Sequence, residues 1–252
     1  VNADGSGLKR LTTDGKSSPA TKKYISPSLS RDGSQLAYLR GYKLYVLNRA
    51  TGHSAGPISN KAWLAQMSPD GKKVGDLEEF PSAMGSGWVM TVCVFNSNGS
   101  GPKAGRDCEG STGSFGFAKN NRVLASVSDQ LDPKYGRYED GICLLDPVKS
   151  GCDKFVAAQL GYDLSDPALS PNGKLLAVTR SLPGKPEGQI ALYNYATGML
   201  VRTLTNGPTD AGPVWSPDGS QLAFVRAAKS IYTVGVAGGA SRLLVKGRSV
   251  TW

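Results

Sequence analysis

Apolar residues in this chain come in short alternating runs divided by turn-forming residues, never in one long stretch. Leu36-Ala37-Tyr38, Leu44-Tyr45-Val46-Leu47, Leu175-Leu176-Ala177-Val178, Ile190-Ala191-Leu192-Tyr193 and Leu222-Ala223-Phe224 are typical. Runs of this length, with β-branched and aromatic residues and bounded by Gly, Pro, Asn and Asp, predict β-strands.

The runs follow a recurring phrase. Ser30-Arg31-Asp32-Gly33, Ser68-Pro69-Asp70-Gly71, Ser170-Pro171-Asn172-Gly173 and Ser216-Pro217-Asp218-Gly219 each lead straight into an apolar strand. A worn copy, Ala118-Lys119-Asn120-Asn121, sits between the second and third of these. The phrase therefore starts at 30, 68, 118, 170 and 216, at intervals of 38, 50, 52 and 46 residues. Pro presets its backbone angle, Asp or Asn bonds its own main chain, and Gly accepts positive φ, so each copy suits a hairpin. Hairpins at this interval predict a β-propeller.

The first strand of each blade precedes the turn phrase, and the second follows it. The third carries the Leu-Tyr-Val-Leu kind of alternation, and a Gly-bearing turn such as Ala196-Thr197-Gly198 leads to the fourth. This divides a single all-β domain, 1–252, into blades at about 24–59, 62–111, 114–159, 166–207 and 212–247. Residues 248–252 resemble a first strand, and 1–13 resemble a turn and a fourth strand, so the expectation is a six-bladed propeller closed by both termini. The sixth blade lacks a recognisable second strand and most of its third, which leaves room for completion by a neighbouring chain in a homo-oligomer or strand-sharing assembly.

Composition sharpens the picture in three places. The charge of +9 favours anionic partners, but Lys and Arg come in ones and twos, as in Lys22-Lys23 and Lys72-Lys73, so no specific nucleic-acid binding is expected. No run nears the roughly 18 apolar residues of a spanning helix, so no transmembrane segment is expected. The four cysteines fall into two close pairs, Cys93 with Cys108 and Cys143 with Cys152, each read as stapling a hairpin at the same place in successive repeats. Each loop closure would stabilise the fold by about 3 kcal/mol. Since the spacing is not that of a Cys-x-x-Cys metal or redox motif, the pairs point to an oxidising compartment and a secreted or periplasmic protein. No signal peptide is recognisable: Val1-Asn2-Ala3-Asp4-Gly5 reads as strand and turn, so any leader is removed or omitted.

With Asn2-Ala3-Asp4-Gly5-Ser6-Gly7-Leu8-Lys9-Arg10-Leu11-Thr12 and Trp215-Ser216-Pro217-Asp218-Gly219 in view, the chain resembles the TolB-like propellers built of WD40-like repeats. The resemblance covers nearly the whole sequence. It implies a periplasmic or secreted scaffold that binds other proteins; related propellers also serve as non-catalytic partners of peptidase domains.

Candidate chemistry is sparse. Gly52-His53-Ser54-Ala55-Gly56 spells Gly-x-Ser-x-Gly, but His53 is the chain's one histidine and sits beside the serine in an expected hairpin. A hydrolase elbow needs a strand-to-helix turn and a separate base. Propeller lyases that hold a metal with several histidines are excluded on the same count. Asp76, Glu78 and Glu79 read as a solvated strand end, with amine or lysine binding the most they imply. Asp129, Asp132, Glu139 and Asp140 share one loop and could gather calcium, though not at EF-hand spacing; no other cofactor is expected.

The expected working surface is the set of connections between second and third strands. Three are long, Phe80 to Trp88, Asp129 to Gly141 and Leu182 to Gly188, while Gly41-Tyr42 is tight. They supply the candidate ligand-binding residues Phe80, Met84, Trp88, Tyr135, Arg137 and Tyr138, types that dominate interfaces and that could equally fold back over the blade ends. Trp63, Trp215 and Trp252 fall on first strands and are expected to fill the wedges between blades. The expected function is non-catalytic binding of a protein or peptide; the alternatives are an anionic cell-surface polysaccharide and, below it, an accessory role to a peptidase.

Overall fold

The structure is a computed structural model that describes residues 27–81, 88–100, 113–131, 138–145, 152–185, 188–207 and 209–251, with the side chains of 129–131 and 138–139 outside the description. Its strands form five antiparallel meanders. The first blade is β1 (Ser28–Leu29), β2 (Gln35–Arg40), β3 (Lys43–Asn48) and β4 (Ser54–Ser59); the second is β5 (Ala65–Met67), β6 (Lys73–Pro81) and β7 (Trp88–Asn96). The third is β8 (Phe115–Phe117), β9 (Val123–Leu131), β10 (Tyr138–Leu145) and β11 (Cys152–Ala158). The fourth is β12 (Asp163–Leu169), β13 (Leu175–Ser181), β14 (Gly188–Asn194) and β15 (Leu200–Thr203), and the fifth is β16 (Asp210–Trp215), β17 (Gln221–Arg226), β18 (Ser230–Gly235) and β19 (Arg242–Lys246). The first strands β1, β5, β8, β12 and β16 surround a central cavity of about 310 Å³.

The propeller is as expected, and the blade count is not. The described residues form five blades rather than six. Residues 248–251 form no strand; they line the central cavity, where the Leu29 amide donates to Thr251 Oγ1 at 2.9 Å. Residues 1–13 and Trp252 lie outside the described residues.

The recurring phrase owes its form to one hydrogen-bond pattern. The Ser30 hydroxyl donates to Asp32 Oδ1 at 2.6 Å, Asp32 accepts from the Ser34 amide at 3.0 Å, and Ser30 Oγ accepts from the Gln35 amide at 3.0 Å. Ser68 with Asp70, Ser170 with Asn172 and Ser216 with Asp218 repeat it at 2.6–2.8 Å. The glycine that follows has φ of 68–74° in all four, the left-handed region that costs glycine little. The worn third copy has no hydroxyl at Ala118 and turns through a short 3-10 segment, Lys119–Asn121, with Asn120 and Asn121 left-handed instead. These turns meet on one face of the ring, where the Arg31 amide donates to Pro69 O and Asn121 Nδ2 to Asp70 Oδ2.

Strand alternation places the core between blades. Leu44 and Val46 of the first blade meet Val74 and Phe95 of the second, Leu77 and Val92 of the second meet Phe115 and Cys143 of the third, Leu124 and Ile142 meet Leu176 and Tyr193, and Ile190 and Leu192 meet Leu222 and Trp215. Trp215 also donates its indole N–H to Ala168 O at 2.8 Å across the last of these wedges. Trp63 packs half-buried against the second wedge.

Cys143 and Cys152 form the expected disulfide, stapling β10 to β11. Cys93 is buried on β7, while Cys108 lies outside the described residues. Cys93 and Cys143 do occupy the same place in successive repeats: Cys93 lies opposite Asp76 and Cys143 opposite Ala125, and Asp76 and Ala125 each fall two residues past the one that pairs with the end of the first strand, Val74 with Met67 and Val123 with Phe117. The worn turn at Ala118 is one residue shorter than the others, so Ala125 and not Ser126 takes the place that Asp76 has in the second blade. Each cysteine accordingly faces the blade before its own, Cys93 the first and Cys143 the second.

Candidate functional site

The links between second and third strands emerge opposite the Asp-Gly turns, and so do the links from each outer strand to the next blade's inner strand. Four large apolar side chains stand exposed on that face: Tyr42 at 46%, Trp88 at 66%, Leu182 at 52% and Leu160, fully exposed. Tyr42 is held in place by an edge contact with Trp63 at 5.4 Å between ring centroids. Arg40, Lys43, Lys61, Lys185, Lys229 and Lys246 are exposed around them, against Asp140 as the exposed carboxylate among the described residues of this side. The other large exposed apolar side chains, Met199, Leu200, Val201 and Leu243, lie on the outer strands or the turn before them.

The sequence-selected residues fare unequally. Trp88 opens β7 in solvent, as a contact residue must. Phe80 does not stand free: it packs against the first wedge, with Lys61 Nζ 5.8 Å above its ring. Tyr138 begins β10, and its side chain is outside the description, as are Met84, Tyr135 and Arg137. Of the four carboxylates considered for calcium, Asp140 alone has a described side chain. Tyr42 and Leu160 escape sequence reasoning because they sit in short turns, which carry no length signal, whereas Leu182 opens one of the three long connections but is aliphatic rather than aromatic or Arg.

Asp76 overturns the reading of a solvated strand end. It is 0% exposed on the central strand β6, and neither carboxylate oxygen has a hydrogen-bond partner among the described residues. Burial pushes its pKa up to about 8; the Ser59 hydroxyl beside it offsets this in part and the Glu78 charge adds to it. That hydroxyl is committed to Glu78 Oε1 at 2.7 Å. Glu78, Asp76 and Cys93 bring ligand atoms within 4.8 Å of one another.

The central cavity has a mixed lining, with Arg31, Gln66, Asp166 and Arg248 among prolines and apolar side chains. Asp166 Oδ2 accepts from the Thr179 hydroxyl at 2.8 Å and from the Gly212 amide at 3.3 Å, tying the fourth blade to the fifth. The Gly-x-Ser-x-Gly segment runs from a turn into β4 rather than into a helix, and His53 is exposed there.

No family model matches the chain, and no curated protein sequence does. Solved structures do match in fold. A protein of Agrobacterium tumefaciens assigned as TolB shares 17% identity at a TM-score of 0.64, over 89% of this chain and 84% of that one. TolB from Acinetobacter baumannii gives 17% and 0.63, over 89% of this chain and 55% of its own length. An oligogalacturonate lyase from Vibrio parahaemolyticus gives 13% and 0.51, over 86% and 64%. At these identities the likeness is one of architecture, a TolB-like β-propeller shared by proteins that include an enzyme.

Proposed function

We propose that this chain is an exported, non-catalytic binding scaffold that engages a protein or peptide segment through the face bearing Tyr42, Trp88, Leu160 and Leu182. The observation that carries this reading is the gathering of those four exposed side chains on the one face to which the long connections also belong. Aromatic side chains exposed on a rigid sheet are effective anchors, since they bury large areas with few rotors to freeze. The surrounding Lys and Arg side chains favour an acidic segment and speed its encounter. Met84, Tyr135, Arg137 and Tyr138 belong to connections on the same side and would extend the surface. The Cys143–Cys152 disulfide accords with a secreted or periplasmic location, and the resemblance to TolB-like propellers with a scaffolding role.

Site-specific photo-crosslinking in the native cell envelope tests the proposal. A crosslinker at position 88 or 42 is expected to capture a discrete partner, and one at position 53, on the opposite face, is not. Equal capture from both faces, or none from 88 and 42, would refute it.

A further inference from the structure

We propose that Asp76 and Glu78, in the wedge between the first and second blades, bind a divalent cation. The place that Asp76 and Cys93 share is filled otherwise elsewhere in the ring. At the corresponding cross-strand pair the first blade stacks Tyr38 on Tyr45 with centroids 5.6 Å apart, the fifth stacks Phe224 on Tyr232 at 6.0 Å, and the fourth pairs Val178 with Ala191. A carboxylate at this position is therefore no requirement of the fold. Apolar pairs stabilise the same slot, whereas an unpaired buried carboxylate opposes folding.

Among the described residues no hydrogen bond reaches either oxygen of the fully buried Asp76, and the Ser59 hydroxyl beside it, given to Glu78, offsets the burial only in part. Glu78, two residues on and therefore on the same side of β6, adds a second carboxylate, and the Ser59 hydroxyl of β4 lies between the blades against it. The ligand atoms of Asp76 and Glu78 fall within 4.8 Å of each other, with the Cys93 sulfur in the same cluster. Two converging carboxylates in an apolar wedge call for a positive charge that a cation supplies directly. So few ligands in so small a space suit a cation of the size of Zn²⁺ or Mn²⁺; Ca²⁺ takes six to eight oxygens at longer distances. The carboxylates define the site, and the sulfur lies at its margin. Bound there, the cation ties β6 to Ser59 of the neighbouring blade and steadies the root of the hairpin that ends in Phe80 and Trp88.

The test uses the full chain, stripped with EDTA, titrated separately with Zn²⁺ and Mn²⁺ by calorimetry and followed by thermal unfolding. Saturable binding of one equivalent of at least one of these ions, with a rise in Tm, is expected. Asp76→Asn and Glu78→Gln should each weaken binding by more than about tenfold while remaining folded, because ligand loss removes charge and coordination together. Glu79→Gln, which changes the opposite side of the strand, should bind as the parent does. Absence of saturable binding by the parent for both ions, or binding unaltered in Asp76→Asn and in Glu78→Gln, would overturn the proposal.

Discussion

The Leu29 amide donates to Thr251 Oγ1 at 2.9 Å, although the two residues are 222 positions apart. Between the first and second blades the Met67 amide donates to Ser28 Oγ at 2.8 Å. Leu29 and Met67 each immediately precede the serine of a turn phrase, so Thr251 takes toward the first blade the place that Ser28 takes toward the second. A segment without a strand thus makes the same contact, at the same level of the cavity wall, as a first strand.

Replacing Thr251 by Val keeps the shape and removes the acceptor. The Leu29 amide then loses its partner, and stability should fall by about 1–3 kcal/mol, the cost of leaving a sheltered donor unpaired. Thr251→Ser should recover most of it. Urea unfolding of the two variants measures the difference, and a Val variant as stable as the parent would show that this contact does not hold the ring.

Asp210 is fully buried and accepts from Arg226 at both ends, 2.6 Å from Nε to Oδ1 and 2.9 Å from Nη2 to Oδ2, while the guanidinium lies 4.4 Å over the Tyr232 ring. Arg226→Met should cost about 3–5 kcal/mol, because it strands the carboxylate. Adding Asp210→Leu should restore much of that loss. A double-mutant cycle in guanidinium chloride reads the coupling, which would be near zero if the pair were merely adjacent.

Gly75 stands where the first, fourth and fifth blades carry Ala37, Ala177 and Ala223, all fully buried. A Cβ at Gly75 would lie 2.6 Å from Phe115 Cε2 in the neighbouring blade. Gly75→Ala, the residue the repeat otherwise favours, should therefore destabilise by about 1–3 kcal/mol through overpacking. Combination with Phe115→Leu should be less harmful than the two single losses added together. Simple additivity in thermal unfolding would argue against the clash.

Enclosure in the channel wall raises the Asp166 pKa above its ordinary value of 3.8, against the pull of the Thr179 hydroxyl and the Gly212 amide. The folded state then holds its proton more tightly than the unfolded state. Its contribution is fully present below about pH 4 and is lost as pH rises through the folded value. Asp166→Asn, whose amide oxygen can still accept both bonds, should therefore gain stability relative to the parent as pH increases. Denaturation series between pH 4 and 9 check this, and parallel stability curves would contradict it.

Much of the architecture is legible in the residues themselves. The Ser-x-Asp-Gly phrase encodes a turn through contacts within five residues, and the apolar alternation after it encodes strands with two buried faces. Local chemistry of this kind needs no partner from elsewhere, so the inner strands and their order around the axis follow directly, as does the staple between Cys143 and Cys152. The site was less accessible. Trp88 is recognisable because its connection is long, and Leu182 opens another long one, but Tyr42 and Leu160 are ordinary residues in short links until the ring gathers them on one face.

The sequence alone determined the hairpins, the repeat and the propeller, because each depends on side chains acting on their own stretch of backbone. Only the tertiary structure decided the rest. Asp76 is buried because the first blade closes over β6, and Thr251 meets Leu29 because the circle of blades brings the chain back to its first blade. Those outcomes depend on which surfaces meet across the ring, and proximity of that kind is not written in any local pattern.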